Sequence, residues 1–355
     1  MATTAERLPV ERKSARTALP AHSLRFDYLY ALLSGFFIFG LFLDGWAHNN
    51  GRVDTSFFTP WHAFLYGSYA LIGLLLVVTQ LRNVTRGHRF DRALPRGYGI
   101  ALAGVLLFGL AGGGDFFWHE LFGFEANLDI LLSPAHLFLA TGAFLFLTAP
   151  LRAAWNRRSE VNWQALFPAL FALILVAAVF AFFMQYAYFL NNPEGMIQRR
   201  YAGEDIYSVY RLFGIFFHAA LTVGVVLFAI RRWGKIPLGF GTLMLVTVNA
   251  LMIWMRWGDL SPYPALFAAP VIGGIALDVL LLWLRPSADR LPQLRLFSFL
   301  ATIPLFLSFF LLAITAYGIH WKIHLWLGSV FIAAIIGLML SYLVFPPQMS
   351  EEVTE

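Results

Sequence analysis

The sequence predicts an all-α, polytopic membrane protein with about ten transmembrane helices arranged as five helical hairpins. Hydrophobic residues make up 59% of the 355-residue chain and charged residues only 13%, whereas charged residues form about 25% of a typical soluble domain. The chain also contains 36 phenylalanines, and its apolar runs reach the length of about 20 residues that a membrane-spanning helix needs. A water-soluble fold of this length is therefore nearly excluded.

The apolar runs define one transmembrane domain at residues 27–345, between polar tails at 1–26 and 346–355. The first tail has no apolar core of the kind found in signal peptides, so we expect no cleavable signal. The absence of cysteine excludes disulfides and Cys-ligated metals. We expect helices at residues 27–48, 59–81, 97–119, 132–151, 164–190, 206–230, 236–257, 263–284, 295–318 and 322–345.

The basic residues predict which connections face the cytoplasm. Of the 25 lysines and arginines, 19 lie in the first tail and in alternate connections, which leaves six for all other segments. Basic residues near the ends of membrane spans favour the cytoplasmic side. Both termini are therefore expected in the cytoplasm of a cell that carries the protein in its inner or plasma membrane. The pI of about 9.5 reflects this topology, and nucleic acid is not an expected partner.

Polar residues recur in the first two hairpins with one shared pattern, which predicts an internal hairpin repeat. The pattern is an Asp-x3-His pair, an acidic residue six positions later, and a Ser/Thr-Pro-x-His sequence at the start of the next helix. Its residues are Asp44, His48, Asp54, Thr59, Pro60 and His62 in the first hairpin and Asp115, His119, Glu125, Ser133, Pro134 and His136 in the second. A hydroxyl followed by proline is typical of a helix start, so the hydroxyls and prolines have a structural explanation. The start of a helix does not explain the histidines in the pattern.

The spacing of these residues predicts a metal centre on the outer face. Residues i and i+4 share one face of a helix, so each Asp-x3-His pair can address one ion. The ligands expected are Asp44, His48 and His62 in one set, Asp115, His119 and His136 in the related set, and the i, i+4 pair His320 and His324 as a contributor to one or both. Nitrogen and carboxylate ligands suit copper, zinc, iron or nickel. Because only neutral imidazole binds a metal, binding should weaken as the pH falls towards the ordinary histidine pKa of about 6.5.

Further polar residues are expected to support the centre or to form a proton path. These are Asp54, Glu120, Glu125, His218 and Asp278. His218 and Asp278 are placed near mid-membrane by the predicted spans, where ionisable groups usually have a function, and they could pair or relay protons. The alternative for the whole set is a structural polar network in which Asp44 and Asp115 accept hydrogen bonds.

The run Asp44-x3-His48-x13-His62 resembles the metal-binding helix pair of the C subunit of copper membrane monooxygenases, the family of the particulate methane and ammonia enzymes. The resemblance covers about 20 of the 355 residues, with a gap one residue longer than in the family. The related run of Asp115, His119 and His136 has a gap of 16 residues. The resemblance implies copper as the metal and a small apolar substrate. Since the family works with partner subunits, it also implies partner membrane subunits or a homo-oligomer.

Three functions remain open from the sequence. The first is a metal-dependent membrane oxidoreductase, similar to a monooxygenase, that acts on a small apolar or lipid-soluble substrate, with copper favoured and zinc or iron as alternatives. The second is a metal-ion transporter or metal-handling membrane protein that uses the same ligands. The third is a b-type haem protein, because facing histidines can ligate haem iron.

Overall fold

The computed structural model describes residues 19–21, 23–52, 58–122, 131–157, 160–190, 193–197 and 204–347, apart from the side chains of 119, 122, 194, 195, 204–207, 258 and 259. All regular structure in these ranges is helical, as predicted. The helices are α1 Leu24–Asn49, α2 Pro60–Thr85, α3 Gly99–Phe122, α4 Pro134–Leu147, α5 Ala149–Trp155, α6 Trp163–Phe183, α7 Glu194–Ile197, α8 Glu204–Trp233, α9 Phe240–Met255, α10 Trp257–Leu260, α11 Ala268–Leu284, α12 Leu291–Leu300, α13 Ile303–Tyr317 and α14 Ile323–Val344, with 3-10 turns at Phe90–Arg92 and Pro264–Phe267.

Nine helical stretches in the described ranges are long and apolar enough to cross a bilayer. A polytopic membrane protein is therefore supported, whereas the five hairpins, the repeat and the orientation of the termini stay predictions. Two of the nine stretches join consecutive helices: Pro134–Trp155 combines α4 with α5, and Leu291–Tyr317 combines α12 with α13.

The seventh expected span, 236–257, is shorter in the structure than the sequence predicts. Its helix α9 has only 16 residues and does not reach the length of the other nine. Gly239 adopts a left-handed conformation with φ of 91°, so the helix starts after it. Pro237, two residues earlier, has no backbone N–H to contribute to a helix. At the other end, α9 stops at Met255, before Arg256.

The fifth expected span, 164–190, also ends early, because α6 stops at Phe183 and residues 184–187 form turns. The segment after α6 packs on α8 at Gly214. A Cβ atom at Gly214 would lie only 1.7 Å from the carbonyl oxygen of Ala187, so this approach needs glycine. Backbone contact with α8 thus replaces the last turns of the predicted helix.

The described chain divides into two compact units. The first comprises Met1–Gly40, Phe57–Ser159 and Phe167–Ala172, and the second comprises Leu41–Ser56, Glu160–Leu166 and Leu173–Glu355. Helix α1 continues unbroken past residue 40 and contributes to both.

In the first unit, α3 and α4 pack backbone to backbone through small residues. A Cβ atom at Gly104 would lie 2.8 Å from the carbonyl oxygen of Gly142, an approach typical of membrane helices. The rings of Phe37, Phe108 and Phe146 form the buried centre of this unit, with Phe37 in edge contact with both others at 4.9–5.3 Å.

The second unit uses the same principle at α11, whose adjacent glycines lie against different helices. A Cβ atom at Gly273 would lie 2.7 Å from Leu305 of α13, and one at Gly274 would lie 2.7 Å from Thr242 of α9. Phe189, Phe306 and Phe309 are fully buried in this unit and contact one another through Phe189 at 5.2–5.3 Å. Close backbone approach through glycine and aromatic filling therefore build both units.

Candidate metal centre

Two helix starts place a histidine in the first turn, as the sequence predicts. Thr59 precedes α2, and its hydroxyl oxygen accepts a hydrogen bond of 3.2 Å from the backbone N–H of His62. Ser133 precedes α4, and its hydroxyl accepts from the backbone N–H of His136 at 3.3 Å. Proline follows the cap in both helices, where its missing N–H costs nothing. The two starts have the same local geometry.

At the first hairpin, the second unit holds the predicted ligands Asp44 and His48 one turn apart on α1, and the first unit holds His62 in the first turn of α2. All three residues are half-buried. Nε2 of His48 lies 3.8 Å from Oδ2 of Asp44, one turn earlier on α1. The donors of a tetrahedral ion bound at about 2.1 Å lie roughly 3.4 Å apart. Small side-chain rotations are therefore enough for Asp44 and His48 to bind one ion together.

At the second hairpin, the structure places Asp115 beside His136. The distance from Oδ1 of Asp115 to Nδ1 of His136 is 3.5 Å. The hydroxyl of Ser133 lies 2.7 Å from the same nitrogen. The carboxylate of Asp115 and the hydroxyl of Ser133 thus both contact Nδ1 of His136. These contacts orient the imidazole ring. Since they share Nδ1, they do not form a Ser-His-Asp catalytic triad, in which serine and aspartate contact opposite ring nitrogens.

Of the other predicted residues of the two hairpins, only Glu120 has a described side chain, and it is exposed. The side chain of His119 and the residues Asp54 and Glu125 lie outside the described part of the chain. Among the described side chains, Asp115 and His136 represent the second predicted ligand set.

The prediction for His320 and His324 is wrong in its geometry. The pair was expected on one helix face, but α14 begins only at Ile323, after Lys322 in an extended conformation. His320 lies before the helix, where its backbone N–H donates to the carbonyl of Met196 at 2.9 Å. The two histidines therefore do not share a face of α14.

Asp278 has a structural role that differs from the predicted proton path. Its carboxylate accepts hydrogen bonds from the backbone N–H groups of Gly241 and Thr242, each at 2.9 Å, and from the hydroxyl of Thr242 at 2.6 Å. These are N–H groups of the first turn of α9, which have no partner within their own helix. Asp278 on α11 therefore caps the short helix α9 from outside.

His218 does not pair directly with Asp278. The imidazole of His218 is buried, and neither of its nitrogens has a hydrogen-bond partner. It contacts the rings of Tyr188 and Phe189 at 5.4 and 5.0 Å between centroids. Aromatic packing, rather than an ion pair, surrounds this histidine, and both rings come from the non-helical segment that follows α6.

Near the end of α1, indole rings form a cavity that the sequence did not reveal. Leu43, Trp46, Trp254 and Trp257 line a space of about 590 Å³, and Trp46 stacks on Trp254 at 6.2 Å. At 100° per residue, Leu43 and Trp46 lie roughly 150° around α1 from the two ligands on that helix. The cavity therefore adjoins the opposite face of α1 from the candidate centre.

The sequence reasoning also missed a buried cluster in the first unit. Asp27 is 1% exposed, and it accepts hydrogen bonds from the hydroxyl of Tyr98 at 2.5 Å and from Nη1 of Arg157 at 3.0 Å. Burial, followed by the neighbouring charge of Asp27, raises the pKa of the Tyr98 phenol well above its usual value of 10. An aspartate at the first residue of a predicted span was the available signal, since such a group needs a partner.

Comparison with known proteins identifies no relative: no family model, no curated protein and no solved structure matches the chain. The resemblance to copper monooxygenases therefore stays a prediction based on the first hairpin.

Proposed function

We propose that the protein is an integral membrane metalloprotein that binds a transition-metal ion through Asp44, His48 and His62. The observation that supports this proposal is the Asp44–His48 pair on one face of α1, with Nε2 of His48 3.8 Å from Oδ2 of Asp44. The next helix begins with the third predicted ligand, His62, in its first turn. Two nitrogens and one carboxylate oxygen suit copper, zinc or iron. The resemblance of the hairpin to copper enzymes favours copper.

The ligand number supports catalysis over a purely structural role for the ion. Structural zinc sites are closed by four protein ligands, whereas catalytic sites use three and leave a position for water or substrate. The half-burial of all three residues leaves such a position accessible. An ion held in this way can activate oxygen or water. We therefore propose a metal-dependent oxidoreductase that acts on a small, lipid-soluble substrate.

Transport of the metal is the weaker proposal, because a path through the protein needs polar groups beyond the first site. The two deep residues predicted for such a path are Asp278 and His218. Asp278 caps α9, and aromatic rings surround His218. The surroundings of Asp278 and His218 therefore suit residues that stabilise the fold more than residues of a metal path.

The test is metal analysis of the protein purified in lipid nanodiscs, with an absorption spectrum of the same sample. We expect about one equivalent of metal per chain, lost in His48→Ala and in His62→Ala. His324→Ala is the matched control, since it removes an exposed imidazole outside the three proposed ligands, and it should keep the metal. Copper or iron without a Soret band supports the oxidoreductase, zinc points to hydrolysis, and a Soret band points to haem. A wild-type protein that neither contains nor takes up metal refutes the proposal.

A further inference from the structure

A second cavity, of about 320 Å³, lies between α2 and α3 within the first unit. Rings of Tyr66 and Tyr69 on α2 and of Phe116 and Phe117 on α3 line it. This cavity is open on one side, whereas an enclosed apolar cavity of about 150 Å³ stays free of water and holds benzene. This cavity therefore has room for a molecule of about two fused rings.

The cavity adjoins the candidate metal centre through Tyr66. Tyr66 follows His62 by one turn of α2, and the edge of one ring meets the other at 6.2 Å between centroids. A molecule in the cavity thus contacts a ring that itself contacts a ligand of the proposed ion.

The floor of the cavity is preformed by glycines of α3. A Cβ atom at Gly109 would lie 2.5 Å from the hydroxyl oxygen of Tyr69, and one at Gly112 would lie 2.9 Å from the ring of Tyr66. The hydroxyl of Tyr69 also donates to the carbonyl of Val105 at 2.8 Å, which fixes that ring against α3. Gly113 differs, because a Cβ atom there would meet nothing within 4 Å. Gly113 therefore faces the open volume.

Exposed aromatic rings form the outer wall of the cavity. Phe117 is 64% exposed and Phe58, which also lines the cavity just before α2, is 83% exposed. Phe117 lies on the candidate span Gly99–Trp118, and an exposed phenylalanine on a helix that crosses a bilayer contacts lipid. A lipid-soluble molecule can therefore reach the cavity sideways from the hydrocarbon without crossing water.

We propose that this cavity is the binding site for a small, uncharged, lipid-soluble molecule, which it holds beside the metal centre as substrate. The assignment as substrate rests on the proposed function, but the binding does not. The volume selects compact molecules of about the size of naphthalene.

The test uses the full chain in nanodiscs, an aryl diazirine as photoreactive probe and naphthalene as competitor. We expect label on Tyr66 and Phe117 that excess naphthalene removes. Gly113→Leu should lower this competable label at least about fivefold by filling the cavity. Gly114→Leu is the matched control, because a Cβ atom there also meets nothing within 4 Å but Gly114 does not line the cavity. It should leave the label unchanged.

Gly113→Ala provides a milder variant if the leucine disturbs folding, and it should lower the competable label in the same direction. Label that naphthalene does not reduce, or an equal loss in Gly114→Leu, would show a lipid-facing surface only and overturn the site. Metal content, measured on the same samples, should stay at the wild-type level in all three variants. Competable label on a protein that binds no metal would support the site and refute the metalloenzyme.

Discussion

Replacing Asp278 by alanine should destabilise the protein strongly, because this carboxylate caps α9 from the neighbouring helix. The change removes three hydrogen bonds of 2.6–2.9 Å, two from backbone N–H groups and one from the hydroxyl of Thr242. Hydrogen bonds to a charged group contribute about 1.5–3 kcal/mol each. After allowing for water that reaches the freed groups, we expect a loss of about 3–5 kcal/mol in the free energy of unfolding.

A double-mutant cycle with Thr242 separates this cap from general disturbance of the helix pair. Thr242→Val removes one of the three bonds and should cost about 1–2 kcal/mol. In the Asp278→Ala background the same change should cost little, because its partner is already gone. Unfolding would be followed by far-UV circular dichroism in mixed micelles titrated with dodecyl sulfate. Asp289→Ala, which removes an exposed carboxylate, is the control. A loss below about 1 kcal/mol for Asp278→Ala, or additive losses in the cycle, would refute the cap.

Three further predictions concern topology, the buried tyrosine and the metal ligands. Because the chain has no natural cysteine, a single cysteine at Asn50 should react with an impermeant thiol reagent in intact cells and one at Gly87 should not; the reverse labelling would invert the topology. The raised pKa of Tyr98 means that stability is fully present below pH 10 and declines as the pH rises further, since the unfolded chain ionises first. Tyr98→Phe should reduce that decline in an alkaline unfolding titration, and an unchanged decline would exclude Tyr98 as its source. His62→Ala should weaken metal binding at least about tenfold in a competition titration, and equal weakening in His324→Ala would argue against the three-ligand group.

The sequence predicts the helical class and the pairing of Asp44 with His48 on one helix face because both depend on local spacing. An apolar run of about 20 residues predicts one membrane helix, and two residues at i and i+4 lie on the same face of that helix. Neither prediction depends on contacts with other helices. The cap-Pro-x-His pattern likewise places His62 and His136 in a first turn, where the structure has them.

The same reasoning fails where the outcome depends on contacts between helices. His320 and His324 are four residues apart, but this spacing places two residues on one face only when both lie in the same helix. Helix α14 starts after His320. The sequence analysis placed Asp278 on a proton path because of its depth along one helix. In the structure, its carboxylate instead binds the first turn of α9, which starts after Gly239. The cavity beside Tyr66 arises from rings of α2 lying on glycines of α3, and no linear pattern contains that approach.

The shortness of α9 has a consequence for the membrane around the protein. At 1.5 Å per residue, 16 residues extend about 24 Å, some 6 Å less than an average hydrocarbon core of about 30 Å. Each ångström of such hydrophobic mismatch costs a fraction of a kcal/mol. Bilayer thickness thereby becomes a variable of stability for this protein.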